Sequence, residues 1–154
     1  VGFPGETEEE WQQSKDFVSS LDFGHMHIFS YSPREGTKAA RLPDPVPQTI
    51  KKQRSHEMHV IAQASKARVL QQQLGQRVPV LFESDYDVMD SGQWRFWGHS
   101  PNYMKVALDV PAGVLMANRI VDVDLQALAP NQQYLLSQAS QALPQPLSIK
   151  QVAG

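Results

Sequence analysis

The chain has 154 residues, with 14 Lys and Arg against 16 Asp and Glu for a formal charge of −2, and 41% of it is hydrophobic. It has no cysteine, which excludes disulfides, thiolate zinc sites, iron–sulfur ligation and a cysteine nucleophile within this chain. No run reaches the ~20 apolar residues of a membrane-spanning helix, and the length suits one ordinary domain or a small domain with pieces of a larger one. The first residue is Val1 rather than Met, so a fragment is expected.

Charge is unevenly spread. Residues 1–33 carry −5, residues 34–68 carry +5, residues 75–125 carry −3, and the remaining tail adds only Lys150. A polyanion would be drawn to the cationic middle.

Thr7 with Glu10 three residues on predicts a capping box. Glu8, Glu9 and Glu10 suit a helix amino terminus, and Trp11, Phe17, Val18 and Leu21 supply a rough apolar face. Residues 22–31 then alternate through His25-Met26-His27-Ile28-Phe29, predicting a strand that ends near Tyr31. Strand, turn, helix and strand in that order, with only the tip of the first strand present before Gly2, follow the βα rhythm of a parallel sheet. Ser32 to Pro47 is a Pro-rich loop, and Pro47 suits the first position of a long helix that runs to about Gln73 and stops at Gly75.

Beyond Gly75 the period becomes two. Val78, Val80 and Phe82 share a side, as do Trp94 and Phe96, then Met104, Val106 and Leu108, then Val121, Val123 and Leu125. Turns fall at Asp90-Ser91-Gly92, Ser100-Pro101-Asn102 and Pro111-Ala112-Gly113. Short strands without an intervening helix predict a small closed antiparallel barrel over residues 75–125. The Gln-rich residues 126–154 are expected to hold a short helix from Pro130 to Leu143 and a loose tail from Pro144.

Several segments can carry chemistry. Gly2-Phe3-Pro4-Gly5-Glu6-Thr7 sits at a strand-to-helix turn, where glycines admit a ligand and Glu6 can hold an ammonium or hydroxyl group; the spacing alone favours a plain tight turn. Tyr31 and Arg34 follow the second strand, on the same sheet edge. Arg34, Lys38, Arg41, Lys51, Lys52 and Arg54 form a cationic cluster, readable as phosphate contacts or as a solvated face. Trp94, Phe96, Trp97 and Tyr103 offer stacking rings with Arg95 and Lys105 between them, though some must be core. His25 with His27 and His56 with His59 have spacings that a metal uses, without a third ligand. Asp85, Asp87 and Asp90 lack the glycine and closing glutamate of a calcium loop.

The segments GFPGETEEE (2–10), HIFSYSPREGTKAA (27–40) and NYMKV (102–106) resemble the carboxyl-terminal part of radical S-adenosylmethionine methylthiotransferases. The SPNYMKV form, with His99 before it, is most similar to the subfamily that modifies N6-threonylcarbamoyladenosine at tRNA position 37. Arg34 also points there, because the ribosomal-protein S12 enzyme tends to have Glu at this place.

This resemblance implies an α+β chain: residues 1–46 as the end of a radical (β/α) barrel, residues 47–74 as a connecting helix, and residues 75–125 as a TRAM barrel of OB-like type. It implies that Gly2, Phe3, Pro4, Gly5, Glu6 and Tyr31 line the S-adenosylmethionine site. Arg34, Lys38, Arg41, Arg95, Asn102, Tyr103 and Lys105 would meet the anticodon-loop region of tRNA. The intact enzyme would use two 4Fe–4S clusters, work in the cytoplasm and add a methylthio group at adenine C2. The family's CxxxCxxC motif is absent here, so the missing amino-terminal part of the same polypeptide would complete the enzyme, and this chain alone should be inactive. A non-catalytic TRAM-type RNA-binding module and an enzyme acting on isopentenyladenosine-37 are the competing readings.

Overall fold

The structure, a computed structural model, describes residues 1–145. It has an α+β architecture of two long helices, one short 3-10 turn at Ala39–Arg41 and five strands. The chain divides into two compact units, Val1–Val69 and the part from Leu70 onward, and the second helix crosses the division.

In the first unit, helix α1 spans Glu8–Ser19. Its capping box is present as the sequence predicts: Thr7 Oγ1 accepts from Glu10 N at 3.2 Å, and Glu10 Oε2 accepts from Thr7 N at 2.8 Å. Trp11 is its one buried residue. Helix α2 spans Gln48–Gln72, within a residue of the expected limits, and Gly75 follows it with φ 79°.

The face of α2 buried in the first unit is largely polar. It consists of Lys51, Arg54, Met58 and Ser65. Ser65 Oγ accepts from Phe23 N at 2.9 Å and lies 3.0 Å from the Phe23 carbonyl oxygen, fastening the chain after α1 to α2.

Along residues 22–31, Met26 and Ile28 are half-buried and His25, His27 and Phe29 are exposed, so the alternation holds. The expected strand is not formed as a ladder among the described residues. Val1 alone pairs with it through the backbone among the described residues, donating to Phe29 O at 2.9 Å and accepting from Tyr31 N at 2.8 Å, the pattern of a parallel pair. One neighbouring residue cannot sustain a strand.

The second unit is a closed barrel of β1 (Arg77–Val88), β2 (Trp94–His99), β3 (Lys105–Val110), β4 (Ile120–Leu128) and β5 (Leu135–Ala139), in the order β1-β2-β3-β5-β4. Val80, Phe82, Phe96, Val106, Leu108, Val123, Leu125 and Leu135 fill it, largely the residues that the period-two pattern selects. Two expectations are corrected. The barrel is not wholly antiparallel, because β3 pairs with β5 in parallel. Residues 135–139, placed in a helix by the sequence reading, form the closing strand, so the barrel continues well past residue 125. The Gln-rich composition obscured Leu135, which is fully buried and opposes Val106 and Leu128. The tail expected beyond Pro144 lies mostly outside the described residues.

Candidate functional site

The Gly2–Glu6 segment is a tight turn built from its own sequence. Glu6 N donates to Phe3 O at 3.0 Å, with Pro4 second and Gly5 third at φ 83°, an arrangement that asks for glycine at the third place. Gly5 N donates to Asp44 O at 2.9 Å, which ties the turn to the loop before α2. Nothing lies within 4 Å of a Cβ added at Gly5, whereas one added at Gly2 would stand 2.5 Å from Lys51 Cγ. Gly2 therefore makes room for the lysine stem.

Tyr31 lies next to this turn. Its ring meets Phe3 edge-on at 5.2 Å, and Lys51 Nζ stands 5.2 Å from the Tyr31 ring while donating to its carbonyl oxygen at 3.2 Å. The Tyr31 hydroxyl is buried and has no hydrogen-bond partner. Glu6 is different: its Oε2 accepts from Gly2 N at 2.9 Å and from Arg54 Nη1 at 2.6 Å. An open cavity of about 580 Å³ borders Gly5, Glu6 and Arg54 on one side and Asp44–Pro47 on the other. A second cavity, between Arg119–Asp122 and Gln141–Pro144, touches none of the expected site residues.

The cationic cluster splits in two. Arg34, Lys38 and Arg41 are exposed on the loop and the 3-10 turn, and Lys52 is exposed on α2, as phosphate-contacting groups would be. Lys51 and Arg54 are buried and serve the first unit internally, which corrects their reading as surface cations. Arg54 carries the signal that sequence reasoning missed. Its position three residues after Lys51 puts both on one helix face, opposite the Glu6–Glu8 acids.

On the barrel, Phe96 belongs to the core and is no stacking platform, and Trp94 is half-buried against Tyr86 at 4.5 Å. Arg95 is engaged by Asp109 through bonds of 2.6 and 2.7 Å, and its pKa is raised chiefly by that pairing. Lys105 Nζ stands 4.1 Å from the centroid of Trp97, whose Nε1 donates to Asp87 Oδ2 at 2.8 Å.

Tyr103 is 86% exposed in a left-handed conformation at φ 63°. The turn beneath it is held by buried Ser100, whose Oγ accepts from Met104 N at 3.2 Å and contacts Asn102 Oδ1 at 2.6 Å. His99 pairs with Glu83 at 3.0 Å and tilts toward the Tyr103 ring at 5.7 Å. Trp97, His99, Tyr103 and Lys105 thus gather on the outer face of β2, β3 and their connection, while Arg95 is neutralised.

Among the described residues no group of three His, Asp or Glu side chains is arranged to hold a metal, and no helix is long and apolar enough to cross a membrane.

No family model matches the chain. It is similar to the ribosomal protein uS12 methylthiotransferase RimO of Synechococcus sp. (strain JA-2-3B'a(2-13)), 41% identical over 103 residues that cover 67% of this chain and 21% of that protein. The RimO of Synechococcus elongatus (strain ATCC 33912 / PCC 7942 / FACHB-805) is 34% identical over 131 residues, 83% of this chain and 29% of that protein. The threonylcarbamoyladenosine tRNA methylthiotransferase MtaB of Bacillus subtilis (strain 168) is 34% identical over 106 residues, 69% of this chain and 23% of that protein. The chain is partly similar to methylthiotransferases. It spans less than a third of the length of these relatives.

Proposed function

We propose that this chain is the carboxyl-terminal part of a radical S-adenosylmethionine methylthiotransferase: a cofactor turn and the edge of a catalytic barrel, followed by a TRAM barrel that docks the target. The observation that carries this reading is the meeting of the Gly2–Glu6 turn with Tyr31 at the end of a parallel pair, where α/β sheets bind ligands. Similarity to two kinds of methylthiotransferase supports it.

The turn suits S-adenosylmethionine in shape. Gly5 leaves open backbone, Phe3 is exposed, and the buried Tyr31 hydroxyl awaits a polar partner. Gly2, Phe3, Pro4, Gly5 and Tyr31 would hold the cofactor; Glu6 Oε2 is already taken by Gly2 N and Arg54, so Glu6 would serve the turn rather than the cofactor's ammonium. When bound beside a 4Fe–4S cluster, the cofactor supplies the radical chemistry. This chain has no cysteine to ligate a cluster, so the chemistry requires residues outside it.

The target we favour is N6-threonylcarbamoyladenosine at position 37 of tRNA, on the SPNYMKV form and Arg34. Exposed Arg34, Lys38 and Arg41 provide phosphate contacts, and Tyr103 with Lys105 provides a ring and a charge; Asn102 shapes their turn, while Arg95 serves the barrel. A second reading, ribosomal protein uS12 as target, draws on the barrel's acidic balance and on the names of the RimO relatives.

Binding of this chain to an anticodon stem-loop bearing the modified adenosine, titrated with salt, separates the two. Affinity falling steeply with salt, with a shallower slope for Arg34→Ala plus Lys38→Ala, is expected. Binding to uS12 and none to the stem-loop at low salt would transfer the assignment to the protein target. Stem-loop binding by this chain, with no methylthio transfer by the longer polypeptide carrying reconstituted clusters, would leave an RNA-binding module.

A further inference from the structure

Arg54 is only 5% exposed, yet it lies 48 residues from the carboxylate that it binds. Its Nη1 donates to Glu6 O at 3.1 Å and to Glu6 Oε2 at 2.6 Å, and its Nη2 donates to Glu8 Oε2 at 2.9 Å. The Trp11 ring centroid is 5.7 Å from the guanidinium carbon. The Glu6 oxygen bound by Arg54 also accepts from Gly2 N. One carboxylate oxygen therefore bridges the first residue of the turn and a buried cation from another helix.

The geometry requires a fork. A guanidinium places separate N–H groups on two carboxylates and a backbone oxygen at once, which a single ammonium cannot match in that plane. Burial disfavours the charge on Arg54, but the hydrogen bonds to Glu8 and Glu6 outweigh it and the pKa is raised. Lys51, one turn earlier on α2, lies across Gly2 and binds Tyr31 O, so the same helix face grips both borders of the turn.

We infer that Arg54 is the positioning residue of the Gly2–Glu6 turn and that Glu6 is its brace, so the turn meets the cofactor through backbone shape rather than through the Glu6 charge. This rests on the reading that the turn lines the S-adenosylmethionine site. Glu6 and Arg54 then act as one unit.

The test has two parts. On this chain, amide exchange at Gly2 and Gly5 is followed for the wild type, Arg54→Met and Arg54→Lys, with Phe23 N, held by Ser65, as an internal reference. Exchange at Gly2 should quicken ~10-fold or more in both variants while Phe23 holds, as expected when a buried pair loses a partner. On the longer polypeptide with reconstituted clusters, the Kd for S-adenosylmethionine is measured by equilibrium dialysis.

Arg54→Met and Glu6→Gln should each raise that Kd by ~10-fold, and the double variant should bind no worse than the weaker single one. Loss of binding in Glu6→Gln with normal binding in Arg54→Met would make Glu6 a direct ligand and overturn the inference, as would unchanged Gly2 exchange in both Arg54 variants. If Arg54→Met does not fold, Arg54→Lys carries both measurements with the same criteria. A wild-type polypeptide that fails to bind the cofactor would instead overturn the proposed function, while the exchange data still decide whether Arg54 positions the turn.

Discussion

Gly98 approaches Leu81 so closely that a Cβ added to it would stand 2.6 Å from the Leu81 carbonyl oxygen. The same atom would meet Val80 Cγ1 at 2.6 Å and Phe82 Cδ1 at 2.9 Å. Gly98 pairs with Phe82 across β1 and β2, so even one methyl group must push these two strands apart. Gly98→Ala should destabilise the second unit by ~1–3 kcal/mol, read as a lower urea midpoint. An unchanged midpoint would contradict this close approach.

Ser65 offers a test in the first unit. Replacing it by Ala leaves Phe23 N, and the carbonyls of Leu21 and Phe23, without their buried hydroxyl partner. A loss of ~1–3 kcal/mol is expected. Ser14→Ala, which removes only an exposed bond to Glu10 O, should stay within ~0.5 kcal/mol.

Glu57 sets an acid response. Hydrogen bonding from Lys15 first, then from Gln53 and Trp11, lowers its pKa from 4.5 to about 2. A lowered carboxyl pKa contributes stability that is fully present above about 4.5 and disappears as the pH falls through about 2. The carboxylate is partly solvated, so the contribution is ~1 kcal/mol or less. The stability gap between the wild type and Glu57→Gln, measured by denaturation from pH 6 down to ~2, should close across that window. A constant gap would remove Glu57 as its source.

Tyr103 and Lys105 should separate by salt. Tyr103→Ala is expected to weaken stem-loop binding by ~1–3 kcal/mol without changing the salt slope, because a ring contributes stacking rather than charge. Lys105→Ala should reduce the slope by ~1. Arg95→Ala should chiefly lower barrel stability, since Asp109 would lose its bidentate partner. A slope change in Tyr103→Ala alone would reverse these roles.

The legible parts of the sequence were those with local causes. Thr7 and Glu10 define a capping box at any depth of burial, Gly75 stops a helix wherever it packs, and alternate Val and Phe residues mark barrel strands. Illegible parts depended on distant partners. Lys51 and Arg54 read as solvated cations because burial of a charge is decided by acids and backbone oxygens far away in sequence. Leu135–Ala139 read as helix because strand pairing with β3 and β4 leaves little trace in a Gln-rich stretch. The turn was recognisable as a turn; its brace was not.

The parallel pairing of β3 with β5 also has a kinetic side. On the ribosome, β1 to β4 emerge first, and until residues 135–139 follow, the facing edges of β3 and β4 have no partner. During that interval the nascent ring is an open sheet with two adhesive borders, vulnerable to pairing with a neighbouring chain. A stop or frameshift just before Leu135 would therefore yield an aggregating product, although every earlier strand is intact.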